Sequence, residues 1–96
     1  MEIHIFARFH VLEGQQAEAA GALDEVLRPT RNEPGCLRIN AFRSIRDRRL
    51  YYIHSKWKDE EAFEIHAQLP HTVRSLERMK TLTDHVFEVT RTEQIG

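Results

Sequence analysis

The sequence predicts an α+β fold: a four-stranded antiparallel sheet with its helices on one face. Three observations carry that prediction. Four separate stretches alternate apolar and polar residues with period two. The stretches between them repeat apolar residues at intervals of three and four. Along the chain the two periods follow the order β-α-β-β-α-β, the split βαβ arrangement of ferredoxin-like domains.

The elements follow in order. From Met1 to Val11, residues Ile3, Ile5, Ala7, Phe9 and Val11 share one face, and His4, Phe6, Arg8 and His10 the other. β-branched and aromatic residues at period two make a strand, which Glu13-Gly14 breaks. From Gln15 to Arg28, residues Ala17, Ala20, Leu23, Val26 and Leu27 form one helical face, and Glu18, Glu25 and Arg28 the outer one. Pro29 removes a backbone donor and disfavours the helical region at Arg28, so the helix is expected to end or kink there. Pro34-Gly35 forces a turn. Cys36 to Ile45 reads as a second strand, "RDRR" as a hairpin connection, and Leu50 to Trp57 as a third strand. Asp59 is a good N-cap for a helix over 60–68, with Glu60 and Glu61 near its positive end. Pro70 suits the first position of a further helical segment over 70–79. Asp84 to Glu93 is the last strand, with Val86, Glu88 and Thr90 against His85, Phe87 and Val89.

No repeat, linker or second domain interrupts residues 1–96. Fourteen Lys and Arg stand against fifteen Asp and Glu, which is not the basic footprint of a nucleic-acid binder. The run Arg43 to Arg49 is locally basic but has the composition of a solvated turn. A single cysteine, Cys36, excludes an intrachain disulfide and reads as a small buried thiol. No stretch reaches the roughly 18 apolar residues of a membrane span, and the first twelve residues lack a signal-peptide core. A cytoplasmic, soluble chain is expected. The helices cover one face of the sheet, yet the other also carries apolar residues. Phe6, Phe42, Phe87 and Val89, with Tyr51 or Tyr52, are candidates for that open face. A patch of that size calls for a partner, and a face-to-face homodimer is the simplest cover.

The segments "NEPGCLRINAFRS", "SKWKDEEAFEIHAQLPH" and "VFEVTRTEQIG" resemble the antibiotic biosynthesis monooxygenase family. The resemblance spans nearly the whole chain. It implies a dimeric α+β barrel in which the sheets of two subunits pack together. It also implies a pocket in each subunit between helices and sheet. Family activities include cofactor-free oxygenation of polycyclic phenols, anthrones or hydroquinones, haem degradation, and isomerisation of a phosphorylated sugar derivative. This chain departs from several of those patterns. Many relatives have Glu-x-Trp where it has Ser55-Lys56-Trp57. The Asn and Tyr of an anthrone oxygenase fall at Ile53 and Phe63. The Asn that haem degradation needs in the first strand falls at Ala7, and no histidine lies between Thr72 and Asp84.

The pair His66 and His71 in "EIHAQLPH" poses the main functional question. A metal is not expected there. On one continuous helix a spacing of five turns the second residue by about 140°, and Pro70 intervenes. His66 is three residues from Phe63 on one helical face, so it is expected to border the pocket beside Trp57. There it is either a neutral base or a core histidine bonded to backbone. His71 opens the segment after Pro70, where the free N–H groups of 71–73 would receive an anion; the alternative is a helix-start residue that only packs the reversal. The four glycines form no phosphate loop, and no cofactor is expected. Together with the resemblance, these residues suggest a cofactor-free monooxygenase of a small aromatic using dioxygen. In that reading Trp57 and Phe63 form the wall, His66 is the base, and His71 or Arg74 holds the anion. A cofactor-free isomerase with a polar pocket, or a non-catalytic binding dimer, are the rival readings.

Overall fold

The structure, a computed structural model, describes residues 1–96. Its elements are β1 (Ile3–His10), α1 (Gln16–Arg31), β2 (Cys36–Arg43), β3 (Leu50–Trp57), α2 (Glu60–Gln68), α3 (Pro70–Leu82) and β4 (Glu88–Thr92). The expected element order is therefore the observed one, and β3 and α2 have their expected limits.

Other limits differ, four of them for identifiable reasons. α1 runs through Pro29 to Arg31. So near the helix end the proline forfeits a single intrahelical bond. Burial of Thr30, whose hydroxyl donates to the Val26 carbonyl at 2.7 Å, carries the chain one turn further. β2 stops at Arg43 rather than Ile45, where Ser44 accepts from the Arg46 and Asp47 N–H groups and starts the turn. α3 continues past residue 79 to Leu82, because Met79 and Leu82 are both core residues. β4 begins at Glu88, four residues late, since the chain from Thr83 is first tied to the end of β1.

The strands form one antiparallel sheet in the order β2-β3-β1-β4. The inner face of β1 is buried as expected, through Ile3, Ile5, Ala7 and Phe9. The register of β4 corrects the expected outer face. Val89 lies opposite Ala7 and so points toward the helices. Phe87 packs edge-on against Phe9, ring centroids 4.9 Å apart, and Tyr51 is buried. Phe6, Phe42 and Tyr52 lie on the outer face as expected, together with His54. Three of these are large and well exposed: Phe6 at 49%, Phe42 at 54% and Tyr52 at 36%.

The buried apolar residues fall into two clusters. One joins Phe9, Val11, Leu23, Tyr51 and Met79, and the other Ile3, Ile5, Trp57, Ala62 and Phe63. Gly35 fixes the second cluster against the turn after α1. A Cβ there would sit 2.3 Å from the Ala62 Cβ, so only glycine allows this approach. The Lys58 N–H donates to the Gly35 carbonyl at 3.0 Å and holds the two segments together. No helix is long and apolar enough to cross a membrane.

Candidate active site

Between the two clusters lies a cavity of about 280 Å³. Ile5 and Phe63 from one cluster and Ala7, Phe9 and Leu23 from the other line it, as does Val89 of β4. Ala7 stands between two large neighbours on the strand face, and its short side chain leaves room there. The polar lining is sparse: Ser55, His66, Thr72, Ser75 and Arg91.

His66 reaches this wall because of how α2 starts and stops. Asp59 caps the helix by accepting from the Ala62 N–H at 2.9 Å. The inward stripe is then Ala62, Phe63 and His66. Pro70 keeps Leu69 out of the helical region, at φ −71° and ψ 147°, so α2 ends and α3 sets off in a new direction. The rotation expected for one continuous helix therefore does not apply. The break brings His71 back toward His66, ring centroids 6.1 Å apart.

Both imidazoles converge on Glu33, in the turn after α1. Glu33 Oε2 lies 2.8 Å from His66 Nδ1 and 2.7 Å from His71 Nε2. An ionised carboxylate only accepts, so both ring nitrogens donate to it. In neutral His66 the proton sits on Nδ1, and Nε2 keeps its lone pair. That nitrogen makes no hydrogen bond within the chain, and no buried polar side-chain atom is left unpartnered, so Nε2 faces open space. Thr72 Oγ1 also lies 3.3 Å from Nδ1. Burial pushes the His66 imidazolium below its ordinary range. The bond to Glu33 opposes that shift, and His71 reinforces it.

These three groups offer ligand atoms within 4.8 Å of one another. The spacing argument against a metal thus loses its ground at this pair.

The other expected site residues divide. Phe63 lines the cavity with His66, ring centroids 5.6 Å apart. Trp57 is fully buried behind the wall. Its ring lies 4.7 Å from that of His66, and its Nε1–H donates to Ser55 Oγ at 2.9 Å. Ser55 lines the cavity, and its hydroxyl proton has no acceptor within the chain. His71 and Arg74 do not line the cavity; they border a separate, more polar pocket with Glu25, Glu77 and Arg78. The backbone donors expected at 71–73 are largely spent, since the Thr72 and Val73 N–H groups both bond to the Leu69 carbonyl at 3.0 Å. Cys36 is half-buried, and burial together with Glu33 pushes its thiol up, away from a nucleophile.

Several residues of the site carry no role that the sequence alone assigns, Glu33 and Arg91 above all. Glu33 sits in the Glu-Pro-Gly turn. An acidic residue at a turn that must pack against Ala62 was its only signal. Arg91 of β4 borders the cavity, with its guanidinium 5.1 Å over the Phe63 ring and held by Glu60 at 2.8 Å and by Glu64. Its inward position depends on the β1–β4 register, which alternation alone does not fix.

Fold and cavity define a class of small α+β protein with a cavity between its helices and the inner face of one sheet, and a histidine in the wall. The chain belongs to the antibiotic biosynthesis monooxygenase family, whose model matches residues 2–78. A crystal structure described as an antibiotic biosynthesis monooxygenase is similar to it, with TM-score 0.92 and 19% identity over 98% of this chain and 99% of that one. A Mycobacterium tuberculosis protein gives TM-score 0.94 and 21% identity, over 100% and 97%. A Shewanella oneidensis protein gives TM-score 0.92 and 26% identity, over 97% and 90%. No curated protein matches the sequence.

Proposed function

We propose that the chain is a cofactor-independent monooxygenase that oxidises a small aromatic with dioxygen, working as a homodimer. One observation carries the reading: His66 lines an apolar cavity and is tied through Nδ1 to the Glu33 carboxylate, which leaves Nε2 without a partner in the chain. Such a carboxylate orients the ring and stabilises the imidazolium once a proton is taken. Eleven of the sixteen lining residues are hydrophobic, which suits an aromatic better than the polar oxo-compound of an isomerase. Size narrows the substrate. An apolar cavity of about 150 Å³ accepts benzene, so about 280 Å³ suits a two-ring phenol or hydroquinone better than a three-ring anthrone.

In this mechanism His66 Nε2 removes the phenolic proton. The phenolate passes one electron to dioxygen, and the resulting radical pair combines at a ring carbon that carries hydrogen. The hydroperoxide takes back the proton from the imidazolium and loses water to leave a carbonyl. Dioxygen takes up four electrons, all from the substrate; one oxygen atom stays in the quinone and the other leaves as water. The Ser55 and Ser75 hydroxyls, rather than His71 or Arg74, are the polar groups within the wall to hold the phenolate oxygen.

An oxygen electrode tests this with a panel of naphthols, hydroquinones and anthrones. Uptake of one dioxygen per quinone formed is the expected result, strongest for two-ring substrates. Proton exchange into a small ketone without oxygen uptake would replace this reading with the isomerase. The dimer rests on the family's habit and on the open aromatic face of the sheet.

A further inference from the structure

On the side of β1 opposite the cavity, a second group of histidines meets a carboxylate. Asp84 Oδ1 lies 2.6 Å from His10 Nδ1 and 2.6 Å from His85 Nδ1. The three ligand atoms lie within 4.8 Å of one another. His10 ends β1, whereas Asp84 and His85 belong to the irregular connection between α3 and β4. We propose that His10, Asp84 and His85 form a binding site for a first-row divalent metal ion, with zinc as the best-suited occupant.

The ligand types come first. Two imidazole nitrogens and one carboxylate oxygen suit zinc and its neighbours, not calcium or magnesium, which take oxygen cages. Geometry comes next. Zinc bonds of about 2.0–2.1 Å set tetrahedral ligands roughly 3.3 Å apart. Each nitrogen must therefore retreat from Oδ1 by about 0.7 Å. His85 has that freedom, since its side chain is 68% exposed and lies outside any helix or strand. The main chain that carries the other two ligands is held together, so only their side-chain torsions need adjust. The Asp84 N–H donates to the His10 carbonyl at 3.1 Å, and the Leu12 N–H to the Leu82 carbonyl at 2.8 Å, so this connection is pinned to the end of β1.

The surroundings have the outer partners that a metal site uses. His10 Nε2 lies 3.4 Å from Asp47 Oδ2. When Nδ1 binds a metal, the ring proton moves to Nε2, where Asp47 accepts it, the usual carboxylate–histidine–metal relay. Arg49 donates to Asp84 Oδ2 at 2.7 Å and to the Val11 carbonyl at 2.8 Å. That guanidinium opposes a cation electrostatically, but it fixes the carboxylate and leaves Oδ1 free. Asp84 and Asp47 together outweigh its charge. The remaining coordination positions face the hollow that Asp47, Glu88 and Arg8 line, where Glu88 lies 3.7 Å from the Arg8 guanidinium and offsets its charge, and water completes the shell.

The test is calorimetric titration of the whole chain with zinc chloride at neutral pH, followed by cobalt(II) absorption. One zinc per chain in the micromolar range is expected, with visible bands of a four- or five-coordinate cobalt. His85→Ala changes an exposed residue, leaves the fold intact, and should weaken binding tenfold or more; Asp84→Asn should do the same. His66→Ala should leave it unchanged. No binding at millimolar zinc, or binding that survives both His85→Ala and Asp84→Asn, overturns the proposal. Loss of binding in His66→Ala alone would place the ion at the Glu33–His66–His71 group and equally overturn it.

Discussion

His66→Ala is expected to give a folded protein that still binds an aromatic ligand and turns it over about 10²–10⁴-fold more slowly, the usual worth of a positioned general base. Folding should survive because Glu33 keeps its bond from His71, so no buried carboxylate is orphaned. Ligand affinity should survive because Phe63 and the aliphatic wall supply most of the contact. pH adds a second reading. Burial holds the folded pKa of His66 below its ordinary 6.5, and only the neutral ring accepts a proton. Parent activity should be flat at neutral pH and fall as pH drops through that depressed value. Stability follows the same sign: below about 6.5 the unfolded chain takes up a proton that the folded one resists, so stability falls on acidification. Glu33→Gln removes the charge that supports the imidazolium and should move the activity limb to still lower pH. Oxygen uptake unchanged in His66→Ala would end the general-base assignment.

Phe42→Asp is expected to convert a dimer into a monomer. Light scattering at micromolar concentration should give twice the chain mass for the parent and one chain mass for the variant. Phe6, Phe42 and Tyr52 share the open sheet face. A carboxylate placed among them in a packed interface costs several kcal/mol unless it is paired. Phe87→Asp should behave differently. That ring packs on Phe9 inside the subunit, so its loss should lower thermal stability rather than dissociate the pair. A parent that runs as a monomer would sink the barrel arrangement.

Which parts were legible follows from which forces are local. β3 and α2 have their expected limits because Asp59, Trp57 and the apolar periods act within a few residues. Pro29 misled because its local penalty is smaller than the burial of Thr30. The faces of Phe87 and Val89 were hidden because register across β1 and β4 is a long-range property. His66 and Phe63 were legible from spacing on a helix, and their shared cavity wall follows from it. Glu33 was not, because its partners are 33 and 38 positions away. His71 was placed correctly in the chain but not in space, since the single extended residue Leu69 redirects it. The same limit hid His10, Asp84 and His85, which only the pinned α3–β4 connection brings together.

The gap that Ala7 leaves between the two core clusters has an energetic consequence. A domain of this size holds a folding free energy of order 5–15 kcal/mol, and unfilled apolar volume costs about 24 cal/mol per Å³ where the walls cannot relax. A molecule that fits restores the missing dispersion contacts, and occupancy becomes part of the folding equilibrium. At a hundredfold excess over its dissociation constant it adds about 2.7 kcal/mol, on the order of 10–20 °C in melting temperature for a domain this small. The protein's own thermal stability is therefore a gauge of what belongs inside it.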